Sequence, residues 1–231
     1  MGRTCVILSG LPRHFSECSE NIISSLIDPN DADVFIHSWL DTETHPEIAD
    51  DIVRRFSPKA FSLEKQGSFV NDHMELGRMM ASHGRGYSRE NFVTMVHSSW
   101  YSLLQANLLK ERHRLANNIR YDWVIRARFD ITYSHPIKCS DFDPSLLMIS
   151  NRNSVPNKGP LPKEMVDDRF AFSSNANMNL YCGGFNLIES VHQEREAKDG
   201  IFCGETLVYE MAMRYRMGIG IIGDLVAFHA G

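Results

Sequence analysis

Apolar residues along the chain follow two rhythms. Short, nearly continuous apolar runs bounded by turn residues alternate with longer stretches in which apolar positions recur every three or four residues. Residues 4–9 (Thr-Cys-Val-Ile-Leu-Ser) are the first run and predict a strand buried on both faces, as in a parallel sheet. Gly10-Leu11-Pro12-Arg13 interrupts it. Residues 16–27 then predict a helix, with Ser16 as N-cap and Ile22, Ile23, Leu26 and Ile27 along one face. Asp28-Pro29-Asn30-Asp31 reads as a turn, and Val34-Phe35-Ile36-His37 as the next strand. A strand, a helix and a strand in that order imply a right-handed crossover and parallel pairing. A short helix near 46–55 and a strand near 59–63 repeat the unit.

Further along, residues 66–90 lose the rhythm, with Gly67, Gly77, Gly84 and Gly86 among His, Met and Ser. This stretch reads as a long loop or loosely helical insertion, a kind of segment that carries function or mobility. Residues 91–117 give the clearest helix, since Trp100, Leu103, Leu104, Leu108 and Leu115 recur at helical spacing. Tyr121 to Ala127 predicts a buried strand, and Leu146 to Ile149 and Arg169 to Phe172 two more. Between these last two, Asn151 to Lys163 holds three prolines and a glycine and reads as an exposed loop. Residues 175–193 and 205–215 predict helices, and Ile219 to Ile222 and Leu225 to Phe228 short terminal strands. The pattern as a whole predicts an α/β fold in one domain, 1–231, with a mostly parallel twisted sheet flanked by helices.

Composition narrows this only slightly. A length of 231 residues with 43% hydrophobic and 23% charged suits one large α/β domain. The net charge of −5 and the lack of a long basic run argue against a nucleic-acid partner. The apolar run Cys5-Val6-Ile7-Leu8 is too short for the core of a secretion signal, and no stretch approaches the ~18 apolar residues of a membrane span. Five cysteines at 5, 18, 139, 182 and 203 form an odd, scattered set without a CxxC pair. They suggest neither a disulfide framework nor a zinc site, and a reducing cytoplasm is the expected compartment.

The segment richest in chemistry is Val124-Ile125-Arg126-Ala127-Arg128-Phe129-Asp130. A buried strand ending in two arginines and an aspartate places them where open α/β sheets bind ligands. Period-two alternation puts Arg126, Arg128 and Asp130 on one face, so that they converge on one anion. Guanidinium groups are permanently charged, multi-donor forks suited to phosphate, and the carboxylate suits a Mg²⁺ or Mn²⁺ ion bridging two phosphates. The plainer alternative is a buried Arg–Asp ion pair at a strand end. At the first turn, Gly10 and Pro12 let backbone approach a ligand and Arg13 supplies charge; the plainer alternative there is an ordinary strand-to-helix turn. Asp33 and His37 bracket the second strand, where Asp33 could meet a ribose or base and His37 a backbone partner. Trp100 and Trp123 read as core, and Trp39 as packing before a stacking platform.

Four segments together resemble small glycosyltransferase-like proteins of bacteria and viruses with the GT-A, or nucleotide-diphospho-sugar transferase, fold. They are Leu8-Ser9-Gly10-Leu11-Pro12-Arg13-His14-Phe15, Asp33-Val34-Phe35-Ile36-His37-Ser38-Trp39, Tyr121 through Asp130, and Asp168-Arg169-Phe170-Ala171-Phe172. The resemblance implies transfer of a sugar from a nucleotide-diphosphate donor to a glycan or other hydroxyl acceptor, with Gly10, Pro12, Arg13, Asp33, Arg126 and Arg128 on the donor. It matches Asp130 to the final, metal-holding aspartate of the DxD motif of such enzymes, with Arg128 in place of the first, so dependence on Mn²⁺ or Mg²⁺ is in question. It places His229 on the metal or diphosphate; the plainer alternative is an incidental terminal histidine. Glu205 resembles the carboxylate that such families carry before a late helix, which makes it the catalytic base in an inverting transfer, with Asp168 as the alternative base or a ligand for sugar hydroxyls. Helix-dipole stabilisation is the ordinary role of a first-turn glutamate like Glu205. Two other functions stay open. Ser9 to Arg13 resembles the start of a sulfotransferase loop for a phosphosulfate donor, although His14-Phe15 are bulky where backbone amides must close on the anion. The missing DxD carboxylate also fits a non-catalytic sugar- or nucleotide-binding module.

Overall fold

The computed structural model describes residues 2–40, 46–67, 69, 93–150, 164, 166–198, 202–222 and 226–228. Its first half follows the predicted rhythm. Strand β1 (Thr4–Gly10) runs into helix α1 (Phe15–Ile22), then β2 (Asp33–Trp39), helix α2 (Pro46–Phe56) and β3 (Ala60–Glu64). Both β1–β2 and β2–β3 pair in parallel, as the crossovers require. The long helix α3 (Ser98–Ala116) leads to β4 (Trp123–Ala127), which lies parallel to β1 on its other side.

After β4 come β5 (Ile131–Tyr133), β6 (Leu146–Ser150) and β7 (Ala171–Ser174), then helices α4 (Asn175–Cys182), α5 (Ile188–Glu196) and α6 (Gly204–Arg214), and strands β8 (Gly218–Ile222) and β9 (Val226–Phe228). The main sheet has seven strands in the order β3-β2-β1-β4-β7-β6-β8. Strand β7 is antiparallel to both neighbours, while β6 and β8 are parallel to each other. Only β7 therefore runs against the rest. Strands β5 and β9 form a separate antiparallel pair.

Side chains alternate across the sheet into two cores. Cys5, Ile7, Phe35, Val124, Leu147, Ile149 and Ala171 face α3 to α6 through Trp100, Leu103, Tyr181, Leu207 and Met211. Val6, Leu8, Val34, Ile36, Ile125, Ala127 and Phe172 face α1 and α2 through Phe15, Ile22, Ile52 and Phe56. Double burial explains why these strands read as unbroken apolar runs.

The differences from the sequence-based expectation have local causes. The helix expected over 16–27 is α-helical to Ile22, widens into a π-turn over Ile23–Ile27 and closes on a 3-10 turn over Asp28–Asn30 that carries Pro29. A π-turn over Val93–His97 likewise precedes α3. The helix expected over 175–193 breaks into α4 and α5 around a 3-10 turn, Gly183–Leu187. A Cβ on Gly184 would stand 2.8 Å from Trp100 Cζ3 and 2.7 Å from Met211 Sδ. The break lets backbone lie against the Trp100 ring, where any side chain would collide. The strand expected at 169–172 lies at 171–174, which leaves Asp167, Asp168 and Arg169 in the approach to it. Strand β5 was not expected, since three residues after a charged turn carry little periodicity. The segments 66–90 and 151–163, read as an insertion and an exposed loop, lie largely or wholly outside the described residues. All five cysteines are buried and unpaired, and no described helix is long and apolar enough to cross a membrane.

Candidate active site

Parallel strands β1 and β4 deliver Gly10 and Arg126 to the same end of the sheet. Because β7 runs the other way, its leading residues, Asp167 to Phe170, enter at that end too, and Arg126 stands opposite Ala171 in the ladder. Helix α6 begins there as well: the Asp168 carboxylate lies against Gly204, its first residue. Arg126, Arg128, Asp130, Asp168 and Glu205 are thus brought to one end of the sheet.

Their charges are not equally satisfied. Arg128 donates two hydrogen bonds to Asp130, Nε to Oδ1 at 2.8 Å and Nη2 to Oδ2 at 2.6 Å. Arg169 grips Asp167 in the same way, at 2.8 and 2.5 Å, and Ser150 Oγ donates to the same carboxylate. Arg126 differs. It is buried, its Nη1 donates to the backbone carbonyl of Asp168, and its Nε has no hydrogen-bond partner. Among the described residues no carboxylate lies within ion-pair distance of it. The Tyr133 hydroxyl is also buried without a partner.

Opposite this guanidinium, two acids stand together. Burial, then the nearby Glu205 charge, pushes the Asp168 carboxyl up to about 6, with Arg126 opposing the shift. A desolvated carboxyl beside a second negative charge favours its protonated form. Near neutrality such a group is able to accept or release a proton, as a general base or acid requires. Glu205 occupies the first turn of α6, where the helix dipole favours negative charge.

At the first turn, Gly10 has φ +104°, which only glycine adopts without strain. Its N–H donates to Ser102 Oγ at 2.8 Å and its carbonyl accepts from Ser38 Oγ at 3.0 Å. His37 Nδ1 lies 2.8 Å from the same Ser102 Oγ, and burial lowers the imidazole's basicity. The Gly10 amide is therefore committed to holding the turn. It is not available to cradle an anion, as a phosphosulfate loop would need. Pro12 is half-buried and Arg13 exposed on this turn.

Asp33 does not join the site. It opens β2, so it lies at the opposite end of the sheet. There it accepts from Arg3 Nε at 3.0 Å and from Tyr121 Oη at 2.7 Å, with Lys59 Nζ 3.6 Å away. An aspartate at the start of a parallel strand and a ligand at the strand ends are separated by the length of the strand. The structure thus places Asp33 apart from Arg126 and Asp168, with its carboxylate taken up by Arg3 and Tyr121. Trp39 is packed rather than displayed, stacked on Tyr101 with ring centroids 5.6 Å apart. His229 lies outside the described residues. As for a divalent ion, both Asp130 oxygens are engaged by Arg128, and among the described residues no three His, Cys, Asp or Glu side chains converge. The described donor set does not fit such an ion.

A family model described as "Domain of unknown function (DUF7796)" matches residues 1–159. The chain belongs to this family. The match takes in β1 to β6 and the Arg126–Asp130 segment, and ends before Asp168 and Glu205. The chain is also similar to the crystal structure of mouse xyloside xylosyltransferase 1, apo form, at 13% identity and a TM-score of 0.49, over 96% of this chain and 85% of that one. No curated protein matches it.

Sequence reasoning missed Trp100, Tyr133, Tyr181 and Arg169 as neighbours of the site. Trp100 and Tyr181 are core residues by burial, and periodicity sees only that. Arg169 could have been found from its position beside Asp168.

Proposed function

We propose that this DUF7796 chain is a glycosyltransferase that moves a sugar from a nucleoside-diphosphate donor to a hydroxyl acceptor. One observation carries this. At the ligand-binding end of a mostly parallel sheet, a buried guanidinium without a carboxylate partner lies near Asp168, whose carboxyl is raised by burial and by the neighbouring Glu205 charge. Arg126 is placed to stabilise negative charge on the departing diphosphate, where charge grows in the transition state. Asp168 or Glu205 takes the acceptor hydroxyl's proton as its oxygen bonds to the anomeric carbon. The bond from that carbon to the diphosphate oxygen breaks, and the diphosphate leaves with the electron pair.

A thermal-shift screen of UDP, GDP, CMP and adenosine 3′,5′-bisphosphate, each with and without Mn²⁺, tests the donor site. A ligand at a hundredfold excess over its Kd stabilises by about 2.7 kcal/mol. The expected result is stabilisation by a nucleoside diphosphate that Arg126→Met abolishes. Asp130→Ala tells whether the Arg128–Asp130 pair must open for binding. Stabilisation by the bisphosphate alone would replace this reading with sulfotransfer, and no stabilisation at all would remove the donor site.

A further inference from the structure

Two glycines on different elements flank Trp100. Gly184 lies against its ring, and Gly204 beside its indole nitrogen: a Cβ on Gly204 would stand 3.5 Å from Trp100 Nε1. The same Cβ would fall 2.1 Å from Asp168 Oδ2, nearer than real atoms come. The carboxylate therefore rests on a bare Cα at the start of α6. The φ of Gly204 is not in the left-handed region, so the backbone does not need glycine here. The need is for space.

Around that space Trp100, Asp168 and Arg126 keep polar atoms without a hydrogen-bond partner among the described residues. Trp100 is 3% exposed, and among the described residues no hydrogen bond holds its indole N–H. The Asp168 carboxylate likewise accepts no hydrogen bond among the described residues, although it sits at a helix start beside Glu205. Arg126, with its orphaned Nε, holds the Asp168 backbone from behind. The site thus offers one neutral donor next to the Asp168 carboxylate. A lone anion is disfavoured by the two carboxylates and a cation by the indole N–H. A hydroxyl group donates and accepts at once, so adjacent hydroxyls satisfy both sides.

We propose that Gly204 is the positioning residue of a monosaccharide subsite, seating Asp168 beside Glu205 and Trp100 so that a vicinal pair of sugar hydroxyls donates to the carboxylate and accepts from the indole. This deepens the transferase reading and rests on it for the ligand's being a sugar. Trp100 and Gly204 read out which hydroxyls are present, and a methyl group at position 204 closes the subsite by displacing Asp168.

The test uses the ¹⁵N-labelled full chain and the indole N–H resonances of its three tryptophans, with Trp100 assigned by Trp100→Phe. The methyl pyranosides of glucose, galactose, mannose and xylose are each titrated to about 50 mM, fifty times a millimolar Kd. At least one should move the Trp100 resonance, while its dideoxy counterpart lacking the hydroxyl pair should not, and Gly204→Ala should abolish the movement. A Trp100 resonance indifferent to all four sugars, or equally responsive in Gly204→Ala, overturns the proposal. Melting temperatures guard against a misfolded variant. Gly204→Ala should melt below wild type, yet cost nothing further in an Asp168→Ala background, where the colliding oxygen is gone. Equal melting of Gly204→Ala and wild type would also overturn the seating. The two readings fail separately. Sugar binding without nucleotide stabilisation leaves the subsite and removes the transferase, and nucleotide stabilisation without sugar binding does the reverse.

Discussion

The two ends of the parallel sheet use the same kinds of residue to opposite effect. At the N-terminal end, Asp33 meets Arg3, Lys59 and Tyr121, and each group has a partner. Arg3 also lies over the Tyr121 ring at 5.7 Å, and its backbone N–H donates to Asp122. At the C-terminal end, Arg126 lies near the Tyr133 hydroxyl, which has no partner, and near Asp168, whose carboxyl feels the Glu205 charge. The first cluster closes the fold where strands begin. The second holds polar groups short of satisfaction, a cost that protein folding does not explain but ligand binding would. The contrast teaches that charge composition alone does not mark a site. What marks it is charge left unspent at the end of the sheet where loops converge.

The largest stability effect should come from the satisfied end. Asp33→Ala removes the acceptor of Arg3 and Tyr121 together. Hydrogen bonds to charged groups contribute about 1.5–3 kcal/mol each, and solvent recovers part of this for the half-exposed Arg3. We expect a loss of about 3 kcal/mol in chemical denaturation, with ligand-induced stabilisation intact. If Asp33→Ala instead abolished ligand binding at unchanged stability, the division between the two ends would be wrong.

The unsatisfied end should respond in the opposite direction. The Asp168 carboxyl is raised from the usual carboxylate range to about 6. A raised pKa adds stability that is fully present below pH ~4 and is lost as pH rises through 6, by at most about 3 kcal/mol. Asp168→Asn mimics the protonated form. It should therefore melt higher than wild type at pH 7.5 and with it at pH 4, while losing catalysis. Melting curves across that range measure this, and a variant less stable than wild type at pH 7.5 would show that the carboxylate is well accommodated.

Much of this contrast was visible in the sequence, and the part that was not has a physical reason. Strands β1, β2, β4 and β6 were legible because burial on both faces writes an unbroken apolar run. The Arg126-to-Asp130 segment stood out because charges at the end of such a run are rare. Yet the sequence could not tell Arg128, which pairs with Asp130, from Arg126, which does not, since both share one period-two face. The fate of Asp33 was hidden as well. A motif at the start of a strand and one at its end look alike in one dimension, and only sheet direction separates them. The reversal of β7, which carries Asp168 into the site, depends on pairing between distant segments. Gly204 reads as a helix start, and only the approach of Asp168 gives it a purpose.

The smallest stability effect, and the sharpest contrast, is expected at Arg126. Methionine matches its unbranched shape and suits a place beside the Tyr181 ring. The variant gives up one hydrogen bond to the Asp168 carbonyl but no longer buries a charge, and these changes offset to within about 1 kcal/mol. Its effect on charge is larger than its effect on stability. Without this cation, the Asp168 carboxylate loses the larger of its two compensating neighbours, Arg128 being the other, so the stability-versus-pH midpoint should move above 6. Nucleoside-diphosphate stabilisation should vanish in the same variant. A protein as stable as wild type, with a shifted titration and no response to nucleotide, would identify Arg126 as a charge kept for a ligand. A variant that loses several kcal/mol and keeps its nucleotide response would make Arg126 a structural residue, and both ends of the sheet would then be scaffold.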